Sequence, residues 1–250
     1  MSLRSRIWLA RWLVALLWWP PLSAKAEGEV DLLLVLAADV SRSVDAEKFK
    51  LQREGYAEAL VLPRVLKAIG SGPAGRIAIC LVEWSGPAAQ AVMIDWTIVA
   101  TAADARAFAA RVREAPRMFM DRTAIGDAID YSVRIFDTAP ASSARRVIDV
   151  SGDGTNNAGR SLIEARDAAL AKGITINGLA ILSKYPLPSN PTHTHPPGGL
   201  LAYFENNVIG GPGAFALAAE GFEAFGASIA SKLVKEISWI VPGEAHPPRL

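Results

Sequence analysis

The chain has 250 residues, 51% of them hydrophobic, with 26 basic and 25 acidic side chains. That length supports one sizeable core and requires no second domain. The near-balanced charge, with no basic stripe and no basic patch interleaved with aromatics, argues against nucleic acid as a partner.

The first 26 residues differ from the rest. Arg4, Arg6 and Arg11 precede the apolar segment Trp12 to Leu22, and Ala24-Lys25-Ala26 follows. A basic start, a short apolar stretch and an A-x-A site describe a secretory signal peptide, cleaved after Ala26. The apolar segment is short for a membrane span and Pro20-Pro21 interrupts it. The expectation is a secreted or periplasmic protein without a stable span, built as one domain over residues 27–241 with a disordered tail over 242–250. Cleavage leaves 22 basic against 25 acidic residues, a formal charge of −3.

The apolar run Leu32 to Ala38 reads as a strand buried on both faces of a parallel sheet. Asp39, Ser41 and Ser43 follow it at alternate positions. Asp45 suits a helix N-cap, and the helix is expected from Ala46 to Ile69, with Pro63 kinking or dividing it. Arg76 to Trp84 and Ala89 to Trp96 read as strands. The short turn Ser85-Gly86-Pro87 between them predicts an antiparallel hairpin, one strand of which lies at a sheet edge. The lone cysteine, Cys80, falls in the first of these strands, so a buried, inert thiol is expected and no internal disulfide is available.

Thr101 to Asp104 has the pattern of a capping box and opens a helix that ends before Pro116. The loop Met118 to Thr123 leads to a helix with Ile125, Ile129, Val133 and Phe136 on one face. Arg146 to Ser151 reads as a strand entering the tight loop Gly152-Asp153-Gly154. A helix from Ser161 to Lys172 and a strand from Ile174 to Leu182 follow. Ser183 to Gly199, rich in Pro, Ser, Thr and His, is expected to be the least structured part of the mature chain. A short helix over Leu200 to Val208, a strand near Ala214 to Ala218 and a helix over Gly221 to Ile240 complete the chain; the last carries Phe222, Phe225, Ile229, Leu233 and Ile237 on one face.

Alternating strands and helices predict an α/β layered fold. Ligands of open α/β sheets bind at the carboxyl ends of the strands. Asp39, Ser41 and Ser43 lie at one such end and Asp153 at another, and Thr123 precedes a helix. Together they offer two carboxylates and three hydroxyls, hard oxygen donors suited to Mg2+, with Mn2+ or Ca2+ as alternatives.

In combination, Asp39-Val40-Ser41-Arg42-Ser43, Thr123-Ala124-Ile125-Gly126-Asp127-Ala128 and Ser151-Gly152-Asp153-Gly154 resemble the von Willebrand factor type A domain with its metal-ion-dependent adhesion site. The resemblance covers about Asp31 to Ser238, and Asn207 to Phe215 is similar to an uncharacterised secreted bacterial branch of that superfamily. It implies a Rossmann-like, mostly parallel central sheet with one antiparallel edge strand and helices on both faces. It also implies that Asp39, Ser41, Ser43, Thr123 and Asp153 hold the ion, and that the domain binds rather than catalyses. One difference stands out. Asp121-Arg122 precedes Thr123 where many members have two glycines, which implies a less mobile loop.

The leading expectation is therefore a module that binds a protein ligand, with an acidic residue of the partner completing the ion's coordination. Arg42, Asp121 and Arg122 would form the rim of that site. The alternatives are a metal-dependent phosphoesterase and a scaffold with an incidental metal. The sequence has no Gly-x-Ser-x-Gly, no phosphate loop and no nucleophile paired with a base. His193 and His195 read as loop histidines without a role, since no third zinc ligand accompanies them. Glu83 reads as structural.

Overall fold

The structure is a computed structural model that describes residues 28–239. The expected signal peptide and tail, and both expected domain boundaries, lie outside those residues. Six strands form one sheet in the order β3-β2-β1-β4-β5-β6. They are β1 (Leu33–Asp39), β2 (Ile77–Trp84), β3 (Gln90–Val99), β4 (Arg146–Gly152), β5 (Thr175–Ile181) and β6 (Ala216–Ala219). β3 alone runs antiparallel, at the edge beside β2.

A parallel sheet must be covered on both faces, and β1 shows how. All seven of its residues are buried. Leu34, Leu36 and Ala38 point into one core, with Tyr56, Leu60, Phe108, Phe225, Ile229 and Leu233. Leu33, Val35 and Ala37 point into the other, with Ile125, Ile129, Phe136, Ala165 and Phe204. The first layer consists of α1 (Ala46–Val61), α2 (Pro63–Ile69), α3 (Ala102–Glu114) and α8 (Phe225–Ile237). The second contains α4 (Ile125–Ile135), α5 (Leu162–Ala171) and the short α7 (Leu200–Tyr203), which runs on into a π-helical turn over Phe204–Val208; the short α6 (Pro191–Thr194) sits in the loop after β5. Each fully buried Leu or Val in β1 contributes about 1.5–3 kcal/mol.

The expected long first helix divides at Leu62. Proline lacks an N–H and pushes the residue before it out of the helical region; Leu62 is extended (φ −65°, ψ 138°) and Pro63 starts α2. Asp45 caps α1 by accepting from the Lys48 amide at 2.9 Å. Thr101 and Asp104 form the reciprocal capping box of α3. The third strand runs three residues beyond the expected Trp96, because register shifts around Leu81 keep it paired to Ile77. The last helix begins at Phe225 rather than Gly221, after the left-handed Gly221 (φ +88°). α1 and α8 meet at Gly55 and Gly226, where a Cβ on Gly55 would lie 2.6 Å from Phe225.

Ser183 to Gly199, expected to be the least structured part of the mature chain, holds one regular element, the four-residue α6, and buries His193 and Thr194. Cys80 is buried as expected, and burial pushes its thiol up. No helix of the described residues is long and apolar enough to cross a membrane.

Candidate metal centre

β1 and β4 are adjacent and parallel, so Asp39 and Asp153 leave the sheet at the same edge. The turn after β1 is closed locally. The Ser41 amide donates to Asp39 Oδ1 at 2.7 Å, and the Val44 amide to the Ser41 carbonyl at 3.0 Å. An aspartate binding the backbone two residues on is a standard turn device. It leaves the Ser41 and Ser43 hydroxyls 3.2 Å apart, and Ser43 Oγ donates to Asp153 Oδ1 at 2.5 Å. Gln52 of α1 fixes the Asp39 carbonyl from below at 3.0 Å. Gly152 leaves room for the carboxylate, since a Cβ there would sit 3.1 Å from Asp39 Oδ2.

Thr123 is almost fully buried, at 1% exposed. Asn157 holds it with a reciprocal pair: its side-chain carbonyl accepts from the Thr123 amide, and its own amide donates to the Thr123 carbonyl, both at 2.9 Å. The Thr123 hydroxyl lies 3.3 Å from His193 Nε2. The His193 ring packs onto Gly154, where any Cβ would collide with it. The Thr155 amide donates to the His193 carbonyl at 2.9 Å. Burial pushes the His193 ring pKa down, against a pull upward from Asp153. The structure thus joins Asp39, Ser41, Ser43 and Asp153 by hydrogen bonds and charge, and brings Thr123 in through His193.

The electrostatics are lopsided. Asp39 is fully buried, and its carboxyl is held up to about 8, first by burial and then by the charge of Asp153. Burial also raises Asp153, opposed by the Ser43 hydrogen bond and by Lys48. Lys48 Nζ, partly exposed, stands 3.8 Å from Asp153 Oδ2 and spends a hydrogen bond on the Ser43 carbonyl at 2.7 Å. Asp39 Oδ2 is buried and has no hydrogen-bond partner. A buried carboxylate without a partner is costly, and a divalent cation between the two carboxylates would remove that cost. Among the described residues no group of three or more His, Cys, Asp or Glu side chains is placed to hold a metal. A cation here would need the hydroxyls as well as the carboxylates, and such a donor set suits a hard ion.

Arg42, Asp121 and Arg122 line a cleft of about 160 Å³ beside Ser43 and Thr123, together with Asn157, Leu187, Asn190 and His193. The Arg42 amide donates to the Asp121 carbonyl at 2.8 Å. Sequence reasoning missed three contributors here. Arg117 donates to the carbonyls of Val40 and Ser41 at 2.6 and 3.0 Å and so ties the loop before Thr123 to the turn after β1. Asn157 and His193 fix Thr123. The run Gly152 to Asn157 carried a hint of the second; the third, expected to be a loop histidine without a role, is instead buried on Gly154 and in contact with the Thr123 hydroxyl. His195 stays exposed, with Nδ1 3.0 Å from the Thr194 hydroxyl. Glu83 is fully buried, ion-paired to Arg53 and accepting from the Met118 amide at 3.0 Å, a structural role as expected.

A family model described as protein of unknown function DUF1194 matches residues 29–241. No curated protein matches the chain. Several solved structures are similar. Proximal thread matrix protein 1 from the mussel byssus is 15% identical, with a TM-score of 0.56 over 84% of this chain and 46% of that one. A von Willebrand factor type A protein from Catenulispora acidiphila is 16% identical, with a TM-score of 0.55 over 83% and 43%. The pilus adhesin SpaC from Lactobacillus rhamnosus GG, in an open conformation, is 13% identical, with a TM-score of 0.58 over 83% and 30%. This chain spans less than half the length of each. A further structure of the mussel protein has a zinc-occupied MIDAS motif. At such identities the likeness establishes the fold, that of the von Willebrand factor type A domain, and leaves the chemistry to the residues themselves.

Proposed function

The chain belongs to the DUF1194 family, and on that premise we propose that it is a secreted or periplasmic module that binds a protein partner through a divalent cation. Asp39, Ser41, Ser43, Thr123 and Asp153 would hold the ion, and a carboxylate from the partner would complete its coordination. Mg2+ fits an oxygen-only set best, with Mn2+ or Ca2+ as substitutes. The bound ion supplies a Lewis-acidic position that accepts an anionic oxygen.

One observation carries this reading: the buried, unpartnered Asp39 Oδ2 belongs to a carboxyl held up to about 8 beside a second buried carboxylate, with the Ser41 and Ser43 hydroxyls against the pair and only the partly exposed Lys48 near it, 3.8 Å from Asp153. Structural carboxylates are normally paired or hydrogen-bonded. The type A structures that carry adhesin and matrix names support a binding role over a catalytic one.

A hydrolase is the second reading, favoured by the contact of the Thr123 hydroxyl with His193 Nε2. It ranks lower for two reasons. Thr123 is 1% exposed, and His193 Nδ1 faces Thr155 Oγ1 and Asn157 Nδ2 rather than an orienting carboxylate. A general base needs its nucleophile within reach of substrate.

Titration calorimetry with MgCl2 and MnCl2 tests the proposal. The expected result is saturable heat from the wild type and none from Asp39→Ala. No heat from the wild type, or equal heat from both, overturns it. Turnover of phosphoester substrates that disappears in Asp153→Ala would replace it with the hydrolase.

A further inference from the structure

Among the described residues, the exposed large apolar side chains are Met118, Met120, Ile163, Tyr185 and Trp239. Three of these five stand on two loops at the sheet edge that carries the candidate metal centre. Met118 and Met120, 57% and 63% exposed, lie on the loop before Thr123, and Tyr185, 69% exposed, on the loop after β5. The second loop also contributes Leu187 and Asn190 to the cleft that contains Arg42 and Arg122.

The methionines are displayed from a loop that is tied down underneath. Arg117 binds the carbonyls of Val40, Ser41 and Phe119 at 2.6, 3.0 and 2.8 Å. The Met118 amide donates to Glu83, which is itself ion-paired to buried Arg53. With its backbone held, the loop keeps two thioether side chains in water at a fixed place. Exposed apolar groups concentrated in this way mark contact surfaces, and methionine adapts to varied apolar partners.

The charge around the cleft selects the partner's sign. Arg42 and Arg122 are exposed there. Lys184 stands over the Tyr185 ring at 5.4 Å but shares a hollow with Glu220 and Glu223, so the positive sign of the rim rests on the two arginines. Asp121, the acidic member of the rim, has its carboxylate against Gly86. Cations beside apolar side chains complement a segment that is acidic and apolar together.

We propose that Met118, Met120 and Tyr185 form a two-sided apolar rim that selects a protein segment whose acidic residue is flanked by apolar side chains. This rests on the metal-dependent reading above and names the partner class that reading leaves open.

Fluorescence polarisation with synthetic peptides tests it, in Mg2+, on the whole chain. One peptide is Gly-Ser-Leu-Glu-Leu-Ser-Gly, and the other carries serine in place of both leucines. The wild type is expected to bind the leucine peptide about 10-fold more tightly, the scale of burying one or two apolar side chains. Met118→Ser/Met120→Ser should reduce that preference to about 2-fold or less, the remainder being what Tyr185 still buries, while leaving the calorimetric response to MgCl2 unchanged. Tyr185→Ser should weaken the preference as well.

Equal binding of both peptides by a wild type that responds to Mg2+ overturns the rim and spares the metal site. A preference that survives in the double methionine variant also overturns the rim. Absence of a Mg2+ response together with a retained leucine preference overturns the metal reading and keeps the rim as an apolar contact surface. Absence of both overturns both. Sedimentation with phosphatidylglycerol vesicles that needs the methionines, without peptide preference, assigns the surface to membranes and overturns the protein partner.

Discussion

Two pairs of buried carboxylates lie along this sheet, and the fold treats them differently. Asp149 in β4 and Glu236 in α8 share Lys232, itself fully buried. Its Nζ lies 2.6 Å from Asp149 Oδ1 and is bonded to Glu236 Oε1, to which Asn177 also donates at 3.0 Å. Glu236 is still held up to about 8, by burial first and then by Asp149, but Lys232 pulls against both. Asp39 and Asp153 at the sheet edge have no such residue. Their nearest cation, Lys48, is partly exposed and 3.8 Å from one of them. The interior pair has the chain's own buried ammonium group between its carboxylates, although Asp149 Oδ2 and Glu236 Oε2 lack hydrogen-bond partners as Asp39 Oδ2 does; the edge pair has no buried cation, and on the proposed function an ion from solution would take that place.

That contrast is open to breakage. The largest effect is expected from Lys232→Met, which leaves two carboxylates buried without a cation. Removing one partner of a buried ionic cluster costs about 3–5 kcal/mol, to be read from the midpoint of urea unfolding. Asp39→Asn should act with the opposite sign. In chelator at pH 8 it relieves an uncompensated charge and raises stability by roughly 1–3 kcal/mol, while abolishing any further gain on adding Mg2+. If Asp39→Asn destabilised the metal-free protein as Lys232→Met does, the two pairs would not differ as described.

The pH dependence sharpens the same point. Asp39 has a folded-state pKa near 8 against an ordinary 3.8. The folded chain therefore holds a proton that the unfolded chain releases across that window. Stability from this group is complete below about pH 4 and is lost as pH rises toward 8. Metal-free thermal scans should show Tm falling from pH 5 to 8, with a shallower fall in Asp39→Asn; part of the fall persists because Glu236 titrates in the same direction. The ion competes with the proton, so Mg2+ affinity should rise over the same range. The smallest effect belongs to Arg42→Ala. Folding stability should change by less than about 0.5 kcal/mol, while association with an acidic peptide slows and loses salt dependence.

Much of the architecture was legible because it rests on local pattern. The apolar run of β1, the stripe Ile125, Ile129 and Val133 of α4, and the Thr101 capping box each specify their element from neighbours in sequence. Asp39, Ser41, Ser43, Thr123 and Asp153 were legible as oxygen donors at a strand end and in loops that the topology brings to one edge. The illegible parts depend on contacts distant in sequence. His193 is buried by its hydrogen bond to Thr155 and its packing on Gly154, and a segment rich in Pro and Thr gives no sign of either. Lys232 and Glu236 each precede a residue of the apolar stripe of α8, Leu233 and Ile237, and nothing in that local pattern marks them as buried. Only the sheet, by placing Asp149 opposite them, makes them interior. Arg117 has no local signal at all; its role depends on the carbonyls of Val40 and Ser41, 77 and 76 residues away in sequence.

The most direct test of the central claim is the stoichiometry of bound Mn2+, followed at pH 8 by the loss of the free-ion signal in electron paramagnetic resonance. One Mn2+ per chain is expected, displaced by excess Mg2+ and absent in both Asp39→Asn and Asp153→Asn. A wild-type chain that binds no Mn2+, or variants that bind it as well as the wild type, would contradict that claim.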